Sequence, residues 1–126
     1  MLPHNALVVV ADGHSATLFR NTAKHGLDLQ DRKILTAEGL VRNWGEQKLD
    51  EAPRDADETA FAQALVGHLN DMVLKHQVDD IAIIADPSTL GEMRKGYHKE
   101  LQARLRQEVP KTLTNADTAA IEQALT

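Results

Sequence analysis

The sequence predicts a mixed α/β domain. Two apolar runs, Ala6 to Ala11 and Val78 to Ala85, have the continuous β-branched character of strands covered on both faces. Polar turns closely follow the first run and produce a meander. The second run passes directly into a helix at Asp86-Pro87. A chain of 126 residues with 42% hydrophobic content fits one domain around one core, spanning residues 1–126.

The first strand ends at Asp12-Gly13, a hairpin dipeptide whose glycine tolerates positive φ. Ser15 to Arg20 is the returning strand. Asn21 to Gly26 is turn-like, and Leu27 to Leu35 alternates as a third strand. Thr36 to Ala56 has no periodicity, and a connection of that length is functional or mobile. Asp55-Ala56-Asp57-Glu58 then starts a helix, since acidic side chains favour the positive end of the helix dipole. Phe61, Leu65, Leu69, Met72 and Val73 form its apolar face up to about His76.

After the fourth strand, Asp86 caps a second helix and Pro87 occupies its first position, where a missing N–H costs nothing. Leu90, Met93, Tyr97, Leu101 and Leu105 line one face of it, and Gly91 and Gly96 weaken it or mark a bend. Val109 to Leu113 is a short fifth strand that Pro110 confines to an edge or a strand start. Thr114 or Asn115 caps a last helix that turns Ala116, Ala120, Ile121 and Leu125 inward. The order β-β-β-α-β-α-β-α is that of a ribonuclease H-like mixed sheet.

Composition removes several functions. Without cysteine there are no disulfides, thiolate metal sites or cysteine nucleophiles. Fourteen basic against 19 acidic residues give a net charge of −5, which opposes general binding to nucleic-acid backbone, so DNA is not an expected partner. Aromatic residues make up only 3% of the chain, too few for a stacking platform. The N-terminus lacks a signal-peptide pattern and the apolar runs are too short for a bilayer, so the expectation is a cytoplasmic protein without membrane association. The six histidines have no metal-ligand spacing, and no cofactor or metal is expected. Ser15 and Ser88 lie in no nucleophile elbow. Oligomeric state is not legible.

Several segments resemble the bacterial host-attachment family, proteins described as required for attachment to host cells. They are Val8-Val9-Val10-Ala11-Asp12-Gly13, Ala16 to Asn21, Ile84-Ala85-Asp86-Pro87, Leu90-Gly91, Arg94-Lys95 and Lys111-Thr112-Leu113-Thr114. Thr112 stands where the family's closing motif has an acidic residue. That family is similar to the central domain of archaeal and eukaryotic peptide-release factors, whose core is ribonuclease H-like. The resemblance implies a non-catalytic binding module with the ribosome or RNA as partner, or a role in attachment. The Gly-Gly-Gln tripeptide of the release factors has no full counterpart. Trp44-Gly45-Glu46-Gln47 lacks the first glycine and puts glutamate in place of the second, where a side chain blocks the backbone conformations glycine permits.

Three sets of residues are candidates for a site. Asp12, Glu58 and Asp86 sit near the topological places where ribonuclease H-like nucleases hold two metal ions, which stabilise the attacking and leaving oxygens. Their ordinary roles are a turn, a first-turn acid and a helix cap. Ser88 and Thr89 open a helix whose N–H groups suit an anion, with Arg94 and Lys95 about two turns on. Arg94, Lys95, His98 and Lys99 belong to the densest basic stretch, with Arg94 and His98 on one face by helical spacing, and suit RNA phosphates. Trp44 is a candidate anchor for a partner. A capped helix and a solvated charged face are the plainer accounts.

Overall fold

The computed structural model describes residues 2–36 and 54–125, apart from the side chains of Asp31 and residues 54–58. Among the described residues, five strands form one sheet in the order β3-β2-β1-β4-β5. They are β1 (Leu7–Ala11), β2 (Ser15–Asn21), β3 (Leu29–Thr36), β4 (Ile81–Ala85) and β5 (Leu105–Pro110). The first three make the antiparallel meander, and β4 and β5 join β1 in parallel. This is the expected ribonuclease H-like mixed sheet.

Helix α1 (Arg54–Leu74) precedes β4, while α2 (Pro87–Arg94) and α3 (Lys99–Arg104) connect β4 to β5. Helix α4 (Thr118–Ala124) closes the described chain. Alternation along β1 and β4 sorts the core into two layers. Leu7, Val9, Ala11, Ile81, Ile83 and Ala85 meet α1, α2 and α3 on one face. Val8, Val10, Ala82 and Ile84 meet Ile121 and Leu125 on the other. Phe61, Leu65, Leu69 and Leu101 are fully buried, each worth about 1.5–3 kcal/mol of apolar transfer. The central strands are covered on both faces, which accounts for their uninterrupted apolar sequence.

Three expectations are corrected. The second helix is not continuous: it stops at Arg94 and a separate helix begins at Lys99. Leu105 to Gln107, expected as the end of that helix and its exit, belong to β5, which ends at Pro110 instead of starting near it. The cap of α4 is Asp117, whose carboxylate accepts from the Ala120 N–H at 2.9 Å; Thr114 is bonded elsewhere.

Candidate functional site

Strands β1 and β4 run in register from Leu7 opposite Ile81 to Ala11 opposite Ala85. Asp12 and Asp86 therefore leave adjacent parallel strands at the same level. Ligands favour this end of an open α/β sheet. Both carboxylates are already engaged. Asp12 Oδ1 accepts from the N–H groups of His14 (2.8 Å) and Ser15 (2.9 Å). Its Oδ2 accepts from the Thr114 hydroxyl at 3.0 Å. The turn is thus closed by an aspartate side chain. Gly13 contributes no positive φ, since Gly26 is the only described glycine that has one.

Asp86 caps α2, with Oδ2 accepting from the Thr89 N–H at 3.1 Å and its carbonyl accepting from Leu90 N–H at 2.9 Å. Pro87 has no N–H to offer, so Ser88 holds the first helical N–H not bonded by the cap. The Ser88 residue is exposed and Thr89 is buried. The Glu58 side chain lies outside the described residues, as does Trp44 with its loop. Among the described residues, no group of three or more His, Cys, Asp or Glu is arranged to hold a metal ion.

Contact with α1 sets the break between α2 and α3. At Gly96 a Cβ would stand 3.1 Å from Val66 Cγ1 of α1, so the chain passes too close for a larger residue to fit without adjustment. Asn70 of α1 holds both sides of the break. Its Nδ2 donates to the Gly96 carbonyl at 3.0 Å and its Oδ1 accepts from the His98 N–H at 3.0 Å. His98 then caps α3, its Nδ1 accepting from the Glu100 N–H at 3.0 Å. The basic residues consequently do not share one helical face, as continuous periodicity had predicted: Arg94 and Lys95 end one helix and Lys99 starts another.

Most of these cations are paired. Arg94 forks onto Glu108 of β5, with Nε 3.3 and 3.2 Å from the two carboxylate oxygens and Nη2 3.1 Å from Oε1. Tyr97 Oη donates to Glu108 Oε2 at 2.9 Å. Burial first, then the bond and charge of Glu108, push the Tyr97 phenol well above its usual range. The hydrogen bond to Glu108, and then its charge, raise Arg94 as well. Lys95 meets Glu92 at 3.0 Å, Arg104 meets Glu100 at 2.8 Å, and Arg106 meets Asp80 at 2.5 Å. The exposed Lys99 has no carboxylate partner among the described residues. Sequence reasoning missed the cluster of Arg94, Tyr97 and Glu108. The available signal was the chain's only tyrosine, standing beside Gly96.

No curated protein sequence matches the chain. Among solved structures it is similar to the Ppx/GppA phosphatase of Aquifex aeolicus, in the crystal structure of its type II variant. The identity is 10% and the TM-score 0.45, over 82% of this chain and 35% of the phosphatase. The chain thus spans well under half of that protein, and a likeness at this level says nothing of activity. Residues 41–125 match the family described as bacterial archaeo-eukaryotic release factor family 12. The matched span takes in α1 through α4 and carries the release-factor relationship, without touching the question of attachment. The chain belongs to bacterial archaeo-eukaryotic release factor family 12.

Proposed function

We propose that this domain is a non-catalytic binding module that acts in translation, in the cytoplasm, contacting the ribosome or its RNA. The observation that carries this reading is membership of a release-factor-related family over residues 41–125. The contact surface in this reading is the bend between α2 and α3, with Lys95 and Lys99 as the cations that meet phosphate. Lys95 is held only by an exposed pair with Glu92, worth at most about 1 kcal/mol, so it exchanges readily for a phosphate. Arg94 is committed to Glu108 and acts by holding the bend in place. Ser88, exposed at the start of α2, is a further contact in this reading, whereas Thr89 is buried and Trp44 lies outside the described residues. A net charge of −5 favours recognition of a shaped site over general attraction to RNA.

Co-sedimentation with ribosomes from lysate, at low and moderate salt, tests the proposal. Saturable binding that Lys95→Glu/Lys99→Glu abolishes without unfolding the domain is the expected result. Absence of binding by folded wild-type protein at low salt overturns it.

A second reading, metal-dependent phosphodiester hydrolysis through Asp12, Glu58 and Asp86, draws on the register that sets Asp12 beside Asp86. It requires Mg²⁺ or Mn²⁺ binding that Asp86→Asn abolishes, and calorimetry without such binding removes it. A direct role in attachment to host cells requires the protein outside intact cells. Fractionation that finds it only in the cytosol removes that role.

A further inference from the structure

On the α4 face of the sheet, away from the bend between α2 and α3, lies a cleft of about 250 Å³. Val10, Phe19 and Ile121 give it an apolar floor. Thr17 stands directly opposite Val10 in the β1–β2 register and shares its face. Thr17 is only 8% exposed, and its hydroxyl makes no hydrogen bond with any described residue. Buried hydroxyls are satisfied in nearly all folded proteins, so the Thr17 hydroxyl is open to a partner in the cleft, either water or a ligand that displaces it.

Two opposite charges line the same space. Between Leu18 and Arg20 the β2–β3 register shifts by one residue. The extra residue on β3 sets Arg32 on the same face as Leu29, three positions away, although strict alternation would separate them. The Arg32 guanidinium has no hydrogen bond or ion pair with a described residue. Asp117 uses Oδ1 to cap α4, and its Oδ2 accepts from no described donor. Arg32 and Asp117 both line the cleft without pairing with each other.

A lone anion would meet Asp117 and a lone cation would meet Arg32. A molecule carrying both signs satisfies both, and an apolar body covers the floor. The volume lies below the roughly 300–1,000 Å³ of pockets for drug-sized ligands. We propose that this cleft binds a free apolar amino acid, with Arg32 taking the carboxylate, Asp117 the ammonium, and Val10, Phe19 and Ile121 the side chain. The Thr17 hydroxyl bonds the carboxylate. The proposal does not rest on the translation reading.

Amide NMR of the whole chain tests it with free L-leucine, L-valine and L-methionine as probes. Saturable shifts centred on Thr17, Phe19 and Ile121 are expected with at least one of them. Leucinamide, lacking the carboxylate, and N-acetyl-leucine, lacking the ammonium, should each bind roughly fivefold more weakly than leucine, as loss of one exposed ion pair implies. Arg32→Gln, at an exposed position, should keep the native spectrum while removing the advantage of leucine over leucinamide. No saturable shift at these residues with any of the three, or equal binding of leucine and both its derivatives, overturns the proposal.

Discussion

The Tyr97 hydroxyl donates to the Glu108 carboxylate at 2.9 Å and so ties the bend between α2 and α3 to the edge strand β5. The same carboxylate receives the Arg94 fork. One acidic residue of the edge strand therefore fixes both the end of α2 and the segment leading into α3. Tyr97→Phe should destabilise the domain by about 1.5 kcal/mol, the low end for a bond to a charged group, because Arg94 still satisfies Glu108. Glu108→Ala should cost more, since it strips Tyr97 and Arg94 together. Urea unfolding followed by far-UV circular dichroism measures both.

The same bond predicts alkaline behaviour. The folded Tyr97 pKa lies above the ordinary value of 10.0, so the native state holds the phenolic proton more tightly than the unfolded chain. That contribution is complete below pH 10 and is lost as pH rises above it. As the chain has a single tyrosine, absorbance near 295 nm reads this group directly. Tyrosinate should form at higher pH in the folded protein than in the urea-unfolded chain, and Tyr97→Phe should flatten the alkaline fall in stability.

His68 titrates in the opposite sense. Partial burial on α1, and next the positive charge of Lys33, hold its pKa below 6.5. The unfolded chain then takes up the proton first, so this group stabilises the fold above pH 6.5 and loses its contribution as pH falls through the folded value. The His68 ring signal in an NMR titration should move at a pH below 6.5, and Lys33→Gln should shift that midpoint upward. A midpoint at or above 6.5 contradicts the assignment.

Backbone geometry separates three substitutions. A Cβ at Gly91 meets nothing within 4 Å, so Gly91→Ala inside α2 should stabilise by about 0.5–1 kcal/mol. Gly96→Ala should destabilise, because its Cβ presses on Val66 at 3.1 Å, and Val66→Ala should relieve part of the loss. His76 sits at φ 60 after α1, with its N–H donating to Val73 O and the Gln77 N–H donating to Met72 O. This is a Schellman end whose left-handed residue favours glycine, and His76→Gly should stabilise by about 0.5–1 kcal/mol. Thermal unfolding midpoints rank the three.

Asp12 carries a structural load that its variants expose. Asp12→Ala removes the acceptor for two turn N–H groups and the Thr114 hydroxyl, and should cost about 2 kcal/mol. Thr114→Val cuts only the bond across the 102 residues of sequence separation and should cost about 1 kcal/mol. Equal losses in the two variants would mean that the turn bonds contribute nothing.

Much of the fold was legible because burial writes itself into periodicity. The apolar runs of β1 and β4 announced strands covered on both faces, and the spacing from Phe61 to Val73 announced the inner face of α1. Even the broken helix kept its pattern, because Leu90, Met93 and Leu101 are buried and Tyr97 packs against the same core. The break itself was not legible. Gly96 allowed for a bend, but close approach to Val66 and bonds from Asn70 decided it, and those partners lie 26 to 30 residues away in sequence.

By itself, the sequence determined the class of the sheet, the capping of α2 by Asp86 and the placement of Asp12 and Asp86 at strand ends. Each follows from local preference or from a repeat of two or about 3.6 residues. Only the tertiary structure decided what the charged groups do. Arg94 finds Glu108, Asp12 finds Thr114, and Arg32 reaches the cleft through a bulge. An ion pair, a long-range hydrogen bond and a register shift depend on which distant residue stands opposite. No local pattern of residues encodes that choice.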